Sequence, residues 1–235
     1  MPATDTSSDL RELALLVHRR LAELYGTPVP FFHDHDPLSE LVSALLSHRT
    51  RNADSGRAFR ALKARYSDWA EVRDAPVKEL EAVVGDCTWP DLKTIRLKEV
   101  LAEVTRRRGE LSLEFLRDMP VADARAWLEE LPGVGPKTSA AVLLFSNLRM
   151  PALPVDSHHH RVALRLGLIP PRTPGPRPAH ARLAALLPPD WGTQDVYDHH
   201  ELLMFHGQRC CFDRNPACGR CVLLDVCPTG QAKSS

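Results

Sequence analysis

The stretch Leu131-Pro132-Gly133-Val134-Gly135-Pro136-Lys137-Thr138-Ser139 joins two segments of helical character. Glycines two apart allow a tight turn through backbone conformations that side chains forbid. Pro136 then stands at the first position of the following helix, where its missing N–H costs nothing. The turn amides and the unpaired N–H groups of that helix point outward together and make an anion site from neutral backbone. This is the geometry of a helix-hairpin-helix, which grips a nucleic-acid phosphate without reading sequence. A plain helix connector is the competing reading.

Lys137 favours the first reading. A cation in the first turn faces the positive end of the helix dipole, which disfavours it by roughly 0.3–1 kcal/mol. The same potential, together with partial burial, lowers a lysine pKa, and a neutral amine is a nucleophile.

Downstream lies Pro154-Val155-Asp156-Ser157-His158-His159-His160-Arg161-Val162. Asp156 is a natural N-cap for a helix running through Leu166 to Gly167. The helix from Pro136 to about Asn147 rises roughly 18 Å, and residues 148–155 can run back roughly 26 Å. Lys137 and Asp156 are therefore expected at the same end of the fold. An amine and a carboxylate flanking one hollow suit attack on a sugar carbon through a positively charged transition state. His158, His159 and His160 point three ways on a helix, which argues against one shared metal.

The C-terminal region carries Cys211-x6-Cys218-x2-Cys221-x5-Cys227, four thiols in 17 residues. Such spacing most often ligates metal, and by itself it does not separate zinc from a cubane iron–sulfur cluster. Cys87 and Cys210 fall outside the spacing. Cys210 could replace Cys211 by a one-residue slip.

The rest of the chain reads as helices with short connections. Leu10, Leu13, Ala14, Val17, Leu21 and Leu24 repeat at helical spacing, and Asp36-Pro37 opens an apolar helix through Leu46. Further helices are expected over about 52–65, 77–84, 94–107, 121–130, 136–147, 157–166, 179–187 and 194–206. No strand alternation appears, so the fold class is all-α. Pro170 to Pro178, with five prolines in nine residues, reads as an extended connection.

Composition sets the outer limits. With 235 residues, 43% hydrophobic and 26% charged, the chain has the make-up of a globular protein rather than a disordered or collagen-like one. No apolar run reaches the roughly 18 residues of a membrane span, and MPATDTSSDLREL lacks a signal-peptide core, so a cytosolic protein with reduced thiols is expected. Thirty bases balance thirty acids, yet six bases crowd residues 48–65 and six more crowd 93–108. Such runs mark either phosphate-facing surface or a solvated helix face.

The order and spacing of LPGVGPKTS, PVDSHHHRV and the terminal thiols resemble the endonuclease III family of DNA glycosylases, from about Leu38 to Cys227. The resemblance implies a two-domain helix-hairpin-helix glycosylase fold with a DNA cleft between the domains. Residues 1–36 would pack with the cluster domain, 37–150 would form a six-helix barrel domain, and 151–235 would complete the cluster domain. It implies Lys137 as Schiff-base lysine, Asp156 as catalytic aspartate, and Cys211, Cys218, Cys221 and Cys227 as ligands of a [4Fe-4S] cluster. DNA contacts would fall on Leu131, Gly133, Val134, Gly135 and Thr138, on Ser47 and Arg49 in LLSHRT, and on His158. The implied activity is excision of oxidised pyrimidines from duplex DNA with an AP lyase step, by a monomer. The alternatives are a catalytically weak DNA-structure binder or a glycosylase shifted toward modified cytosine or mismatches. Arg49 stands where the family commonly has glutamine, Asn52 where an acid often follows, and residues 111–125 resemble a branch that includes plant 5-methylcytosine glycosylases.

Overall fold

The computed structural model describes residues 6–173 and 176–234, and these contain helices and turns but no strand. None of the helices is long and apolar enough to cross a membrane. The chain divides into two compact units, one of Phe32–Met150 and one joining Met1–Phe31 to Pro151–Ser235.

In the first unit, α2 (Pro37–Ser47) opens where Asp36 accepts hydrogen bonds from the Leu38 and Ser39 amides. It packs against α3 (Asn52–Arg65) and α8 (Pro136–Phe145). From Ala140 to Leu144, α8 is buried all round, as a helix at the centre of a domain should be. Around it lie α4 (Trp69–Asp74) and α5 (Val77–Val83), both packed on α6 (Pro90–Arg108), while α7 (Val121–Glu129) packs on α8. The sequence reading passes over α4, because six residues with only Trp69 and Val72 buried show no period. Its signal is the cap: Asp68 accepts from the Glu71 amide. α6 starts four residues earlier than expected and stops at Gly109, whose φ of 74° suits glycine.

In the second unit, α1 (Thr6–Tyr25) packs on α11 (Thr193–Arg209) through Ala14, Val17 and Leu21. Leu24, expected on the same stripe, is exposed. α9 (Ser157–Leu166) packs against α11, α10 (Pro176–Ala184) and α12 (Pro228–Ser234). The close α9–α11 approach needs Gly207, since a Cβ there would lie 2.7 Å from the His158 Cβ.

The expected extended connection over Pro170–Pro178 is corrected, because α10 already begins at Pro176. Pro176 and Pro178 fall in the first turn, where a missing N–H loses no hydrogen bond.

Candidate active site

The hairpin turn follows α7. The Val134 amide donates to the Leu131 carbonyl at 3.1 Å, and the Ser139 amide is bonded back to Gly135 at 2.9 Å. Only one of the two glycines is demanded by its backbone. Gly133 has φ of 73°, and the Arg96 side chain fills the space a Cβ would need. Gly135 is extended, at φ −122° and ψ −179°, which any residue adopts. That corrects the expectation that both glycines serve forbidden conformations.

Leu131, Val134 and Thr138 are buried. Their side chains anchor the turn, so whatever the hairpin offers outward comes from its backbone. Lys137 is half-buried in the first turn of α8, which carries no acid.

The end of α2 is tied to that turn. His48 Nε2 lies 3.0 Å from the Thr138 hydroxyl, and Ser47 Oγ donates to the Ala44 carbonyl at 2.7 Å. Burial first, then the Lys137 and Lys93 charges, push His48 down to about 4, so it is neutral. Lys93 donates to the carbonyls of Leu45, Leu46 and His48 and caps α2 with its ammonium.

Arg49 follows at φ 51° and lies 5.9 Å from the ring of Trp89, itself at φ 54° and 50% exposed. Both non-glycine residues hold a backbone region that costs energy. The sequence reading missed Trp89, whose only sign was a large aromatic before a helix-opening proline.

Most members of the two basic runs have partners within the chain. Arg51 and Arg57 pair with Asp54, Arg57 also with Asp86, and Arg65 with Glu79. Arg96 pairs with Glu99, and Arg106 and Arg107 pair with Glu103. Lys98 donates to the carbonyls of Arg73 and Ala75. Exposed pairs of this kind are weak, and they fit the reading of a solvated helix face.

In the other unit, Asp156 caps α9 by accepting from the His159 amide at 2.7 Å. Two buried histidines brace the residues before it. His200 Nδ1 lies 2.9 Å from the Pro154 carbonyl, and the Val155 amide donates to His180 Nε2 at 3.2 Å. Of the histidine triplet, His159 is wholly buried with neither ring nitrogen hydrogen-bonded, and His158 lies 3.0 Å from Arg161. Burial, reinforced by His199, His200, His180 and His160, drives His159 far below its usual range. Glu201, on α11, is pushed up to about 7 by burial and then by the Asp156 and Asp198 charges.

Cys211, Cys218, Cys221 and Cys227 line one pocket with Cys210 and His206, walled by Val162, Leu166, Leu223 and Leu224. Donors point at three of the four thiols. The Leu223 amide lies 3.4 Å from Cys221 Sγ, the Gly230 amide 3.4 Å from Cys227 Sγ, and Arg165 3.2 Å from Cys211 Sγ. A Cβ on Gly230 would meet Leu224 at 3.0 Å, so the backbone approaches as closely as the pocket allows. Convergent sulfurs with N–H donors and a dry wall fit a thiolate-held metal centre. Among the described residues, the ligand atoms that lie within 4.8 Å of one another are those of His206, Cys210 and Cys221, so the thiol outside the spacing belongs to the same pocket.

Two residues that the sequence reading did not single out hold this loop on α9. Arg161 donates to the carbonyls of Cys211 and Gly207, and Arg165 to those of Phe212 and Asp213. Their i, i+4 spacing is the signal that was available. The helix capped by Asp156 is thus the one that clamps the thiol loop.

No protein-family model matches the chain. A DNA glycosylase of Arabidopsis thaliana, named only provisionally, is 34% identical over 173 residues, 74% of this chain. The match spans 57% of that relative, less than two thirds of its length. A solved structure of a trapped covalent endonuclease III–DNA intermediate has the same fold, with TM-score 0.80 at 22% identity over 96% of this chain and 99% of that one. The endonuclease III of Thermotoga maritima is 32% identical over 193 residues, 82% of this chain and 83% of that one. With that identity sustained over most of both chains, this protein belongs to the endonuclease III family.

Proposed function

We propose that the chain is a base-excision DNA glycosylase with an AP lyase step, acting on oxidised pyrimidines in duplex DNA. The observation that carries this reading is Lys137, an amine in the first turn of a hairpin-opened helix where helix energetics disfavour a cation.

The damaged nucleotide leaves the duplex, since its C1′ is otherwise out of reach. Lys137 Nζ, neutral, attacks C1′, and the glycosidic bond breaks with its electron pair leaving on the base. Asp156, held by its cap and by the histidine-braced segment before it, stabilises the positive charge on the sugar. The C1′–O4′ bond then breaks as Nζ gives up a proton and O4′ takes one, which opens the sugar to a Schiff base; this acidifies the C2′ proton, whose loss expels the 3′ phosphate. The hairpin backbone, with Arg49 and Trp89, bears on the duplex, because the phosphate-binding amides need no side chain and the exposed arginine–indole pair offers a flat cationic surface.

Cys211, Cys218, Cys221 and Cys227 are the residues that would hold a [4Fe-4S] cluster. When bound, it supplies iron–thiolate bonds that cross-link the C-terminal loop. None of the catalytic steps uses it.

The test is borohydride trapping on duplexes carrying thymine glycol, an abasic site, 5-methylcytosine or a mismatch. Wild type forms a covalent adduct with the first two, and Lys137→Gln loses it by about 10³-fold or more while duplex binding changes little. Absence of any adduct from wild type overturns the reading. An adduct confined to 5-methylcytosine or the mismatch moves the substrate class and keeps the lysine chemistry.

A further inference from the structure

The Pro154–Val155 peptide unit, which leads into Asp156, is held at both of its polar ends by side chains. His200 Nδ1 lies 2.9 Å from the Pro154 carbonyl oxygen, and the Val155 amide donates to His180 Nε2 at 3.2 Å. A carbonyl only accepts, so His200 carries a proton on Nδ1. An amide N–H only donates, so His180 Nε2 carries a lone pair. Val155 is wholly buried and His180 is 2% exposed, so bulk water does not stand in for either partner.

His180, on α10, belongs to a group of imidazoles gathered from three helices. His159 and His160 come from α9, and His199 and His200 from α11. The His159 ring centre lies 5.4 Å from that of His199 and 6.2 Å from that of His200. The acids beside them are Asp156, which caps α9, and Glu201, on which the Asp156 charge acts. Arg177 and Arg182, the cations of α10, are exposed. A backbone carbonyl or a side-chain amide would hold the Val155 N–H at any pH. An imidazole holds it only while neutral, because a proton on Nε2 sets two N–H groups against each other.

We propose that His180 is a positioning residue for Asp156 and works only as the neutral imidazole. The neutral ring, with His200 opposite, fixes the peptide plane that leads into Asp156 and so the place of its carboxylate. The protonated ring releases that plane, and the carboxylate moves with it. One proton passes from solvent to Nε2, the hydrogen bond from Val155 is lost, and no other bond changes. The consequence for base excision rests on Asp156 being the charge-stabilising carboxylate.

The experiment follows the Val155 amide of the intact protein by hydrogen exchange at pH 8 and pH 5, either side of the ordinary imidazole value of roughly 6.5. In wild type its protection, corrected for the intrinsic exchange rate, falls about tenfold or more in acid, while Val162 and Ala163 within α9 keep theirs. His180→Gln, whose carbonyl accepts without titrating, keeps the Val155 protection at both values, and His180→Leu lacks it at both. Nitrogen-15 spectra of the wild-type imidazoles, with His180→Gln to assign the resonance among eleven histidines, show Nε2 of His180 unprotonated at pH 8. A proton on Nε2 there overturns the proposal, and so does protection that is equal at the two pH values or falls alike in wild type and His180→Gln. Single-turnover excision from a thymine glycol duplex then tests the link to Asp156. Protonation of Lys137 slows both proteins alike, so the wild type is expected to lose about tenfold more rate in acid than His180→Gln. Equal losses beside a responsive amide overturn the positioning role. No excision by either protein at either pH refutes the glycosylase reading and leaves the amide result as the test of the histidine.

Discussion

The hairpin unit and the thiol unit each bury one glutamate, to 4% and 5% exposure, in opposite electrostatic company. Glu40 has Lys137 and Arg149 acting on it, whereas Glu201 has Asp156 and Asp198. Cations should lower the first and anions raise the second, yet both lie far above the usual carboxylate range, at about 8 and about 7. Loss of water is the larger effect in each; the cations trim it at Glu40, and the anions add to it at Glu201. The two units differ more in how they hold their working residue. Lys137 is placed by a turn and a helix packed on every side. Asp156 is placed by a cap, two buried histidines and a helix that two arginines tie to a loop of thiols.

That difference predicts unequal fragility. The largest effect belongs to the thiols. Cys221→Ser is expected to lose its iron and to expose the amides of α9 and α11 to hydrogen exchange, while those of α2 and α8 stay protected. Cys210→Ser keeps about four irons per chain. Iron retained in the first variant and lost in the second would replace Cys221 by Cys210 in the ligand set, and stoichiometric zinc in the wild type would replace the cluster itself.

Acid sharpens the contrast. His33 and His48 in the hairpin unit, and His159 and His199 in the other, are held below their unfolded value of 6.5, at about 4, about 4, far below and about 3. Their contribution to stability is fully present above pH 6.5 and is lost as pH falls toward those values. The glutamates act oppositely, because a raised carboxyl adds most stability below its unfolded value and loses it as pH rises through about 7 to 8. In the hairpin unit one glutamate stands against three lowered histidines, His35 being the third. In the thiol unit one glutamate stands against more and deeper histidines, with His18, His160 and His206 lowered as well. Between pH 7 and 5 the melting temperature should fall by roughly 5–10 °C, with the thiol unit opening first. Equal loss of protection in both units would break the comparison.

Smaller effects come from glycines. Gly207→Ala must push α11 from His158 and should cost about 1–3 kcal/mol, read by denaturant unfolding. Gly133→Ala should cost about 1 kcal/mol through its positive φ, and Gly135→Ala less. A larger loss at Gly135 than at Gly133 would show that the second glycine is demanded by something other than its backbone angles.

Local rules were legible from residues alone. Asp36-Pro37 opening a helix, Asp156 capping another, Pro136 following the hairpin and the stripe from Ala14 to Leu21 each depend on neighbours within a few positions. Those interactions travel with the sequence. Short or proline-opened helices were not legible, since α4 shows no period and α10 looks like a broken segment until its prolines fall in a first turn.

The sequence by itself determined the helical class, the hairpin, the lysine and aspartate, and the four-thiol tail, because chain spacing and cap chemistry specify them. Only the tertiary structure decided that basic residues in two runs serve acids and carbonyls, that Arg161 and Arg165 clamp the thiol loop, that Trp89 stands beside Arg49, and that Glu40 is buried on the helix packed against α8. The physical reason is range. Capping and periodicity act over one or two turns, whereas desolvation and charge pairing depend on which distant segments the packed core brings together.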